Sequence, residues 1–186
     1  MIALTALWLP IVLSAVLVFV ASSILHMVLP YHRSDYAKLP AEDNVLDALR
    51  DAKVAPGAYV FPHAPSPKET ASPEMQEKYR RGPVGMLLMA PSGPPAMTRN
   101  LIQWFVFCLW IGLFVAYLTG RTLGADAEYL TVFRLAGTIA FLGYASGHIF
   151  DSIWKFQSWK VTAKGVFDGL VYALLTAGAF GWLWPT

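Results

Sequence analysis

Four long apolar runs, with the positive charge gathered into the gaps on one side, leave this chain few ways to fold. They cover Ile2–Leu29, Leu101–Thr119, Tyr129–Phe150 and Val166–Trp184. A bilayer core of roughly 30 Å takes about 20 apolar residues in helical form. In lipid the backbone must satisfy its own polar groups, which a helix does within one segment. The runs therefore predict an all-α transmembrane protein, a four-helix membrane bundle. A hydrophobic fraction of 56% agrees, and would be out of place in a soluble domain.

Charge predicts the orientation. Of the 14 Lys and Arg, nine fall in the first gap: Arg33, Lys38, Arg50, Lys53, Lys68, Lys78, Arg80, Arg81 and Arg99. Lys155, Lys160 and Lys164 fall in the third gap, while the second holds Arg121, with Arg134 just inside the third run. Gaps one and three share a side, and the positive-inside rule assigns that side to the cytoplasm. Both termini are then expected outside. A signal peptide wants a basic start and an apolar stretch of about 7–15 residues. Met1–Pro10 carries no charge and the first run is far longer, so it reads as a retained span.

The expected division is 1–30 as the first span, 31–100 as a cytoplasmic insertion and 101–186 as spans two to four. In the insertion, Val45, Leu46, Leu49 and Ala52 make a helical stripe within Pro40–Lys53. Pro56-Gly57 breaks the chain before a strand-like Ala58–Phe61. Ser72-Pro73-Glu74 opens a second short helix through Arg80, and Val84–Met89 reads as a second strand. Two readings stand: a small αβαβ cap with paired strands, or a Pro/Gly-rich tether without a core.

Small residues recur every four positions in three of the runs. The fourth has Gly165, Gly169, Ala173, Ala177 and Gly181; the second has Cys108, Gly112, Ala116 and Gly120; the third has Gly143 and Gly147. Such stripes let helices approach closely in lipid. The fourth stripe is expected to pack on the third helix through Gly143 and Gly147. Cys108, the only cysteine, excludes a disulfide framework and a thiolate cluster. Trp8, Trp182 and Trp184 are expected at the outer interface, and Trp104, Trp154 and Trp159 at the inner one.

Tyr31-His-Arg-Ser-Asp35, Pro56-Gly-Ala-Tyr-Val-Phe-Pro62 and the stretch Phe167–Trp184 resemble a family of uncharacterised bacterial four-span membrane proteins of unassigned function. The resemblance implies a bacterial inner-membrane protein that is a complete unit. It supplies no catalytic residue and no cofactor.

Polar groups at membrane depth are the functional candidates. His148, Asp151 and Ser152 close the third run on one face, and Asp168 is expected at the start of the fourth helix. Together they could hold a metal or relay a proton. Local pairing of Asp151 with Lys155 and of Lys164 with Asp168, each at i,i+4, is favoured over that chemistry. A second group, His26, Met27 and His32, flanks Pro30; these are residue types that bind copper or haem iron, although an interfacial His and a filler Met account for them. No phosphate loop, nucleophile elbow or His-Glu-x-x-His helix is present.

Three function classes fit these features: a non-enzymatic scaffold or accessory subunit of a membrane complex, a small transporter or channel, and a membrane enzyme or metal-binding protein using His148, Asp151 and Asp168. The scaffold reading leads. Expected partners are the lipid bilayer and a membrane protein or second copy of the chain. A net charge of +2 gives no reason to expect nucleic acid, and no cofactor is implied.

Overall fold

A computed structural model describes residues 1–185, in two compact units. One joins Met1–Tyr36 to the chain from Ala96 onward; the other is Ala37–Pro95. The division falls later than the expected 30/31 boundary because the segment after the first span bonds back onto the last helix.

In the helical unit the first candidate span is α1, Trp8–Ser23, preceded by a 3₁₀ turn at Leu4–Leu7 and continued by a π turn at Ile24–Val28. Pro10 sits in the first turn of α1, where a missing N–H breaks no helical bond. Leu29 turns extended, at ψ 138°, as a residue before proline prefers, and Pro30 opens a 3₁₀ turn through Ser34. The remaining candidate spans are α5, Met97–Thr122, α6, Tyr129–Trp154, and α7, Trp159–Trp182. The most apolar 18-residue stretches of these helices have mean hydropathies of 2.1, 1.2 and 1.3, against 2.5 within Leu4–Val28. All four are long and apolar enough to cross a membrane.

The bundle closes around α7, which packs on both α6 and α1, while α5 packs on α1 and α6. Leu7, Val18, Cys108, Val115, Val132, Ala136, Ala140 and Phe180 are buried at its centre. Close approach, not bulk, joins the last two helices. A Cβ on Gly169 would stand 3.0 Å from the Ala145 Cβ, and one on Gly181 would strike the Tyr129 ring at 2.7 Å. Gly137 of α6 faces the Ala177 Cβ in the same way, at 3.2 Å from where its own Cβ would be.

The α7 stripe thus meets α6, but not through the glycines expected. A Cβ on Gly143 would meet the Ile111 side chain of α5 at 2.7 Å, and one on Gly147 would meet nothing within 4 Å. Positions two apart on a helix lie about 200° apart around its axis, so Gly143 and Gly147 point away from the face that carries Ala145. Gly112 instead approaches the first span, beside Ile11 and Ser14. Ala116, Ala173 and Ala177 are all buried.

The two ends of the helical unit engage the last turn of α5 and the turn that follows it. The Ile2 N–H donates to the Gly120 carbonyl (2.8 Å), and the Trp184 indole donates to the Gly124 carbonyl (3.0 Å). Trp184 is therefore a buried packing residue, whereas Trp8 and Trp182 are exposed. Trp104 is also drawn inward: its indole N–H donates to Ser22 Oγ (2.8 Å), and its ring packs on Tyr144 and Tyr172.

The second unit contains α2, Glu42–Asp51, β1, Gly57–Phe61, a one-turn α3, Pro67–Thr70, α4, Pro73–Arg81, and β2, Gly85–Met89. Acids crowd the start of α2 and Arg50 its end, as the helix dipole favours. Ser66 and Ser72 cap α3 and α4 by accepting from Glu69 N and Met75 N. The strands pair antiparallel, Gly57 opposite Met89 and Phe61 opposite Gly85. This is the αβαβ order with one added helical turn. None of the unit's residues is buried, so it has secondary structure without a core of its own.

Candidate functional site

Asp168 is the only charged residue in the buried set among the described residues, at 3% exposure. It is the tenth residue of α7, because that helix begins at Trp159, ahead of the apolar run. The helix dipole acts within about the first turn, so a position at the helix start does not account for this carboxylate. Its partners do. Asp168 Oδ1 accepts the Tyr31 hydroxyl, and Oδ2 lies 2.8 Å from His32 Nε2.

The segment after the first span is shaped to deliver those partners. Pro30 starts the 3₁₀ turn that holds Tyr31 and His32, and Asp35 N closes it on the His32 carbonyl (3.0 Å). His32 Nδ1 lies 2.6 Å from Asp35 Oδ2, so each ring nitrogen faces a carboxylate. Asp35 Oδ1 in turn receives Lys164 Nζ at 2.5 Å. That same ammonium also donates to the Tyr31 carbonyl and to Ser34 Oγ (2.9 Å). The result is one connected chain: Tyr31, Asp168, His32, Asp35, Lys164.

Burial raises the Tyr31 hydroxyl well above the ordinary phenol range, and the Asp168 carboxylate that accepts its proton adds to the shift. For Asp35, burial pushes upward, but the bonds from Lys164 and His32 outweigh it and hold the carboxyl below its usual range. Asp35 is thus kept ionised between two donors.

His26 completes the cluster. Its ring stacks on His32 with centroids 4.1 Å apart and planes within 11°. His26 Nδ1 lies 3.1 Å from the Ser22 carbonyl, which can only accept, so that nitrogen carries the proton. His26 Nε2 stands 3.8 Å from Asp168 Oδ2, beyond hydrogen-bond reach. The ligating atoms of His26, His32 and Asp168 all lie within 4.8 Å of one another, so these three could hold a metal. Met27 is 72% exposed, and no bond draws it into the group.

The residues expected at the α6–α7 junction divide differently. The His148 ring packs against Gly165, where a Cβ would come to 2.5 Å of Nδ1. Ser152 Oγ bonds Thr162 Oγ1, which also donates to the His148 carbonyl (3.1 Å). Asp151 pairs with Lys155 at 2.7 Å. Among the described residues no hydrogen bond or ion pair links His148, Asp151 or Ser152 to Asp168. Lys164 does not pair with Asp168 either; it reaches across to Asp35. Tyr31, Asp35 and Lys164 carry no local signal of their role. The usable clue was that an aspartate inside an apolar helix must find donors, and His32 and Tyr31 flank another span.

One turn beyond Asp168, the Tyr172 hydroxyl is buried without a protein partner, and its ring packs edge-on against Tyr144 and Trp104. No protein family, curated protein or solved structure gives a match to this chain, so the chemistry of the cluster rests on its own geometry.

Proposed function

We propose that this chain is a bacterial inner-membrane protein that crosses the bilayer four times. Both termini lie outside and the 31–100 insertion lies inside, following the Lys/Arg asymmetry. Its role is that of a non-enzymatic accessory subunit or scaffold, working with a membrane-protein partner or a second copy of itself.

The observation that carries this reading is the way the bundle uses its polar side chains. Ser14, Ser22, Thr119 and Thr176 are buried, and each hydroxyl donates to a carbonyl of its own helix. With their protons held by their own helices they form no row of free donors through the spans, which a transport path would use. The polar cluster at Asp168 bonds the turn that follows the first span to the last span. A closely packed bundle with such a clasp, and an insertion that lacks a core, suits a protein that leans on partners. A second reading, a membrane metalloprotein, is favoured by the convergence of His26, His32 and Asp168.

Purification of the tagged full chain in a mild detergent, followed by crosslinking and mass measurement, tests the leading reading. A stoichiometric membrane partner or a defined oligomer is the expected result. A monodisperse monomer that captures nothing at native expression would remove it.

A further inference from the structure

We propose that His26, His32 and Asp168 form a binding site for one divalent transition-metal ion of the zinc class. Two acceptors face each other in this cluster. His26 Nδ1 gives its proton to the Ser22 carbonyl, so in the neutral ring Nε2 presents a lone pair. That lone pair stands 3.8 Å from a carboxylate oxygen, Asp168 Oδ2, with which it makes no hydrogen bond. The His26 ring lies face to face with His32, with centroids 4.1 Å apart, and His32 itself lies between two carboxylates. A cation shared by Nε2 and Oδ2 gives both acceptors a partner.

The spacing fits such an ion. Zinc binds His nitrogen and carboxylate oxygen at about 2.0–2.2 Å, which places neighbouring donors in a tetrahedron roughly 3.3 Å apart. The observed separations from Asp168 Oδ2 are 2.8 Å to His32 Nε2 and 3.8 Å to His26 Nε2, on either side of that value. Closing the group requires the His26 ring, 51% exposed, to tilt out of its stack on His32 while Nδ1 stays on the Ser22 carbonyl, because a metal lies in the plane of each ring that binds it. On His32 the metal replaces the proton now shared with Asp168.

Each donor is also held from behind, the arrangement that orients metal ligands and fixes their tautomers. His26 is held by the Ser22 carbonyl, and Ser22 in turn accepts the Trp104 indole on its hydroxyl. His32 is held by Asp35, which Lys164 anchors. Asp168 is held through its other oxygen by Tyr31. Two imidazoles and one carboxylate suit zinc and its first-row neighbours, whereas magnesium and calcium prefer oxygen throughout. Three protein donors leave a tetrahedral ion one further position. The site stands whether or not a protein partner co-purifies.

The test is a titration of chelator-stripped, full-length protein in nanodiscs with Co2+, whose visible absorption reports coordination, followed by displacement with Zn2+. One Co2+ per chain, displaced by one Zn2+ and not by Mg2+, is expected. His26→Gln removes a half-exposed ligand and leaves the buried bonds of Asp168 in place, so it is expected to fold and to weaken Co2+ binding by roughly 100-fold. Asp35→Asn, behind His32, should weaken it about tenfold, and His63→Gln should change nothing. Absence of Co2+ uptake by the wild-type protein, or wild-type affinity in His26→Gln with its helical circular dichroism intact, overturns the proposal.

Discussion

His32 Nε2 and Asp168 Oδ2 stand 2.8 Å apart, joining two residues separated by 136 positions of sequence. The contact ties the segment that leaves the first span to the third turn of the last one. Because Asp168 is buried and bonded by two donors, truncating it strands both. Asp168→Ala is expected to cost about 3–5 kcal/mol, the range for removing one partner of a buried charged pair. A thermal-unfolding series in detergent would register this as a large fall in midpoint; a neutral result would mean that the first span holds its place without the carboxylate.

Lys164 reaches Asp35, Ser34 and the Tyr31 carbonyl from α7, and its side chain is 24% exposed. Lys164→Met keeps the aliphatic stem and removes the donors. A loss of about 1–3 kcal/mol is expected, smaller than for Asp168→Ala because water can reach the vacated acceptors. Protease protection at Tyr31–Tyr36 should fall in parallel, read by limited proteolysis.

The glycines of α6 and α7 should separate cleanly by substitution. Gly169→Leu drives a side chain into Ala145 and is expected to destabilise by at least about 1–3 kcal/mol. Gly147→Ala meets nothing within 4 Å and should gain a few tenths to about 1 kcal/mol from helix propensity. Equal effects at the two positions would contradict the packing of α7 on the Ala145 face.

Tyr172 offers the reverse case, a buried hydroxyl without a protein partner. Tyr172→Phe keeps the ring against Trp104 and Tyr144 and deletes only the oxygen. Unchanged or slightly raised stability is expected, since an unpaired buried hydroxyl costs about 1–3 kcal/mol. A marked loss would assign that hydroxyl a partner.

Orientation is testable apart from packing. Reporter fusions after Lys68 and at the C-terminus should report opposite compartments, the first inside and the second outside. The same compartment for both would refute either the span count or the positive-inside assignment.

The four long apolar helices were legible because hydrophobic length is a local property, readable without knowing what touches what. The α7 stripe was legible for the same reason, since Gly165, Gly169, Ala173, Ala177 and Gly181 repeat at the helical period. Its partners were not. Spacing cannot say that Ala145 rather than Gly143 faces Gly169, because that depends on the rotation of α6 about its own axis. The Asp168 cluster was hidden more deeply. His26 and His32 were recognisable as ligand types, yet their meeting with Asp168 needs the crossing of α1 and α7, which no short-range pattern encodes. Lys164 misled for a definite reason: i,i+4 spacing to Asp168 promised a local pair, and three acceptors distant in sequence, Asp35 Oδ1, Ser34 Oγ and the Tyr31 carbonyl, offered Lys164 a better set.

The π turn at Ile24–Val28 has a consequence for how this chain tolerates changes of length. Leu29 N donates to the Ile24 carbonyl five residues back, so this turn holds one residue more than an α-helical turn does. Such a turn absorbs an extra residue without changing the phase of the segment beyond it. Deleting the exposed Met27 should tighten it to α-helical pitch and leave Tyr31 and His32 facing Asp168. The same deletion at Val16, within regular helix, would turn every later position by about 100° and carry Tyr31 and His32 away from it. The chain thus has a length buffer one turn ahead of the residues that most depend on angular position.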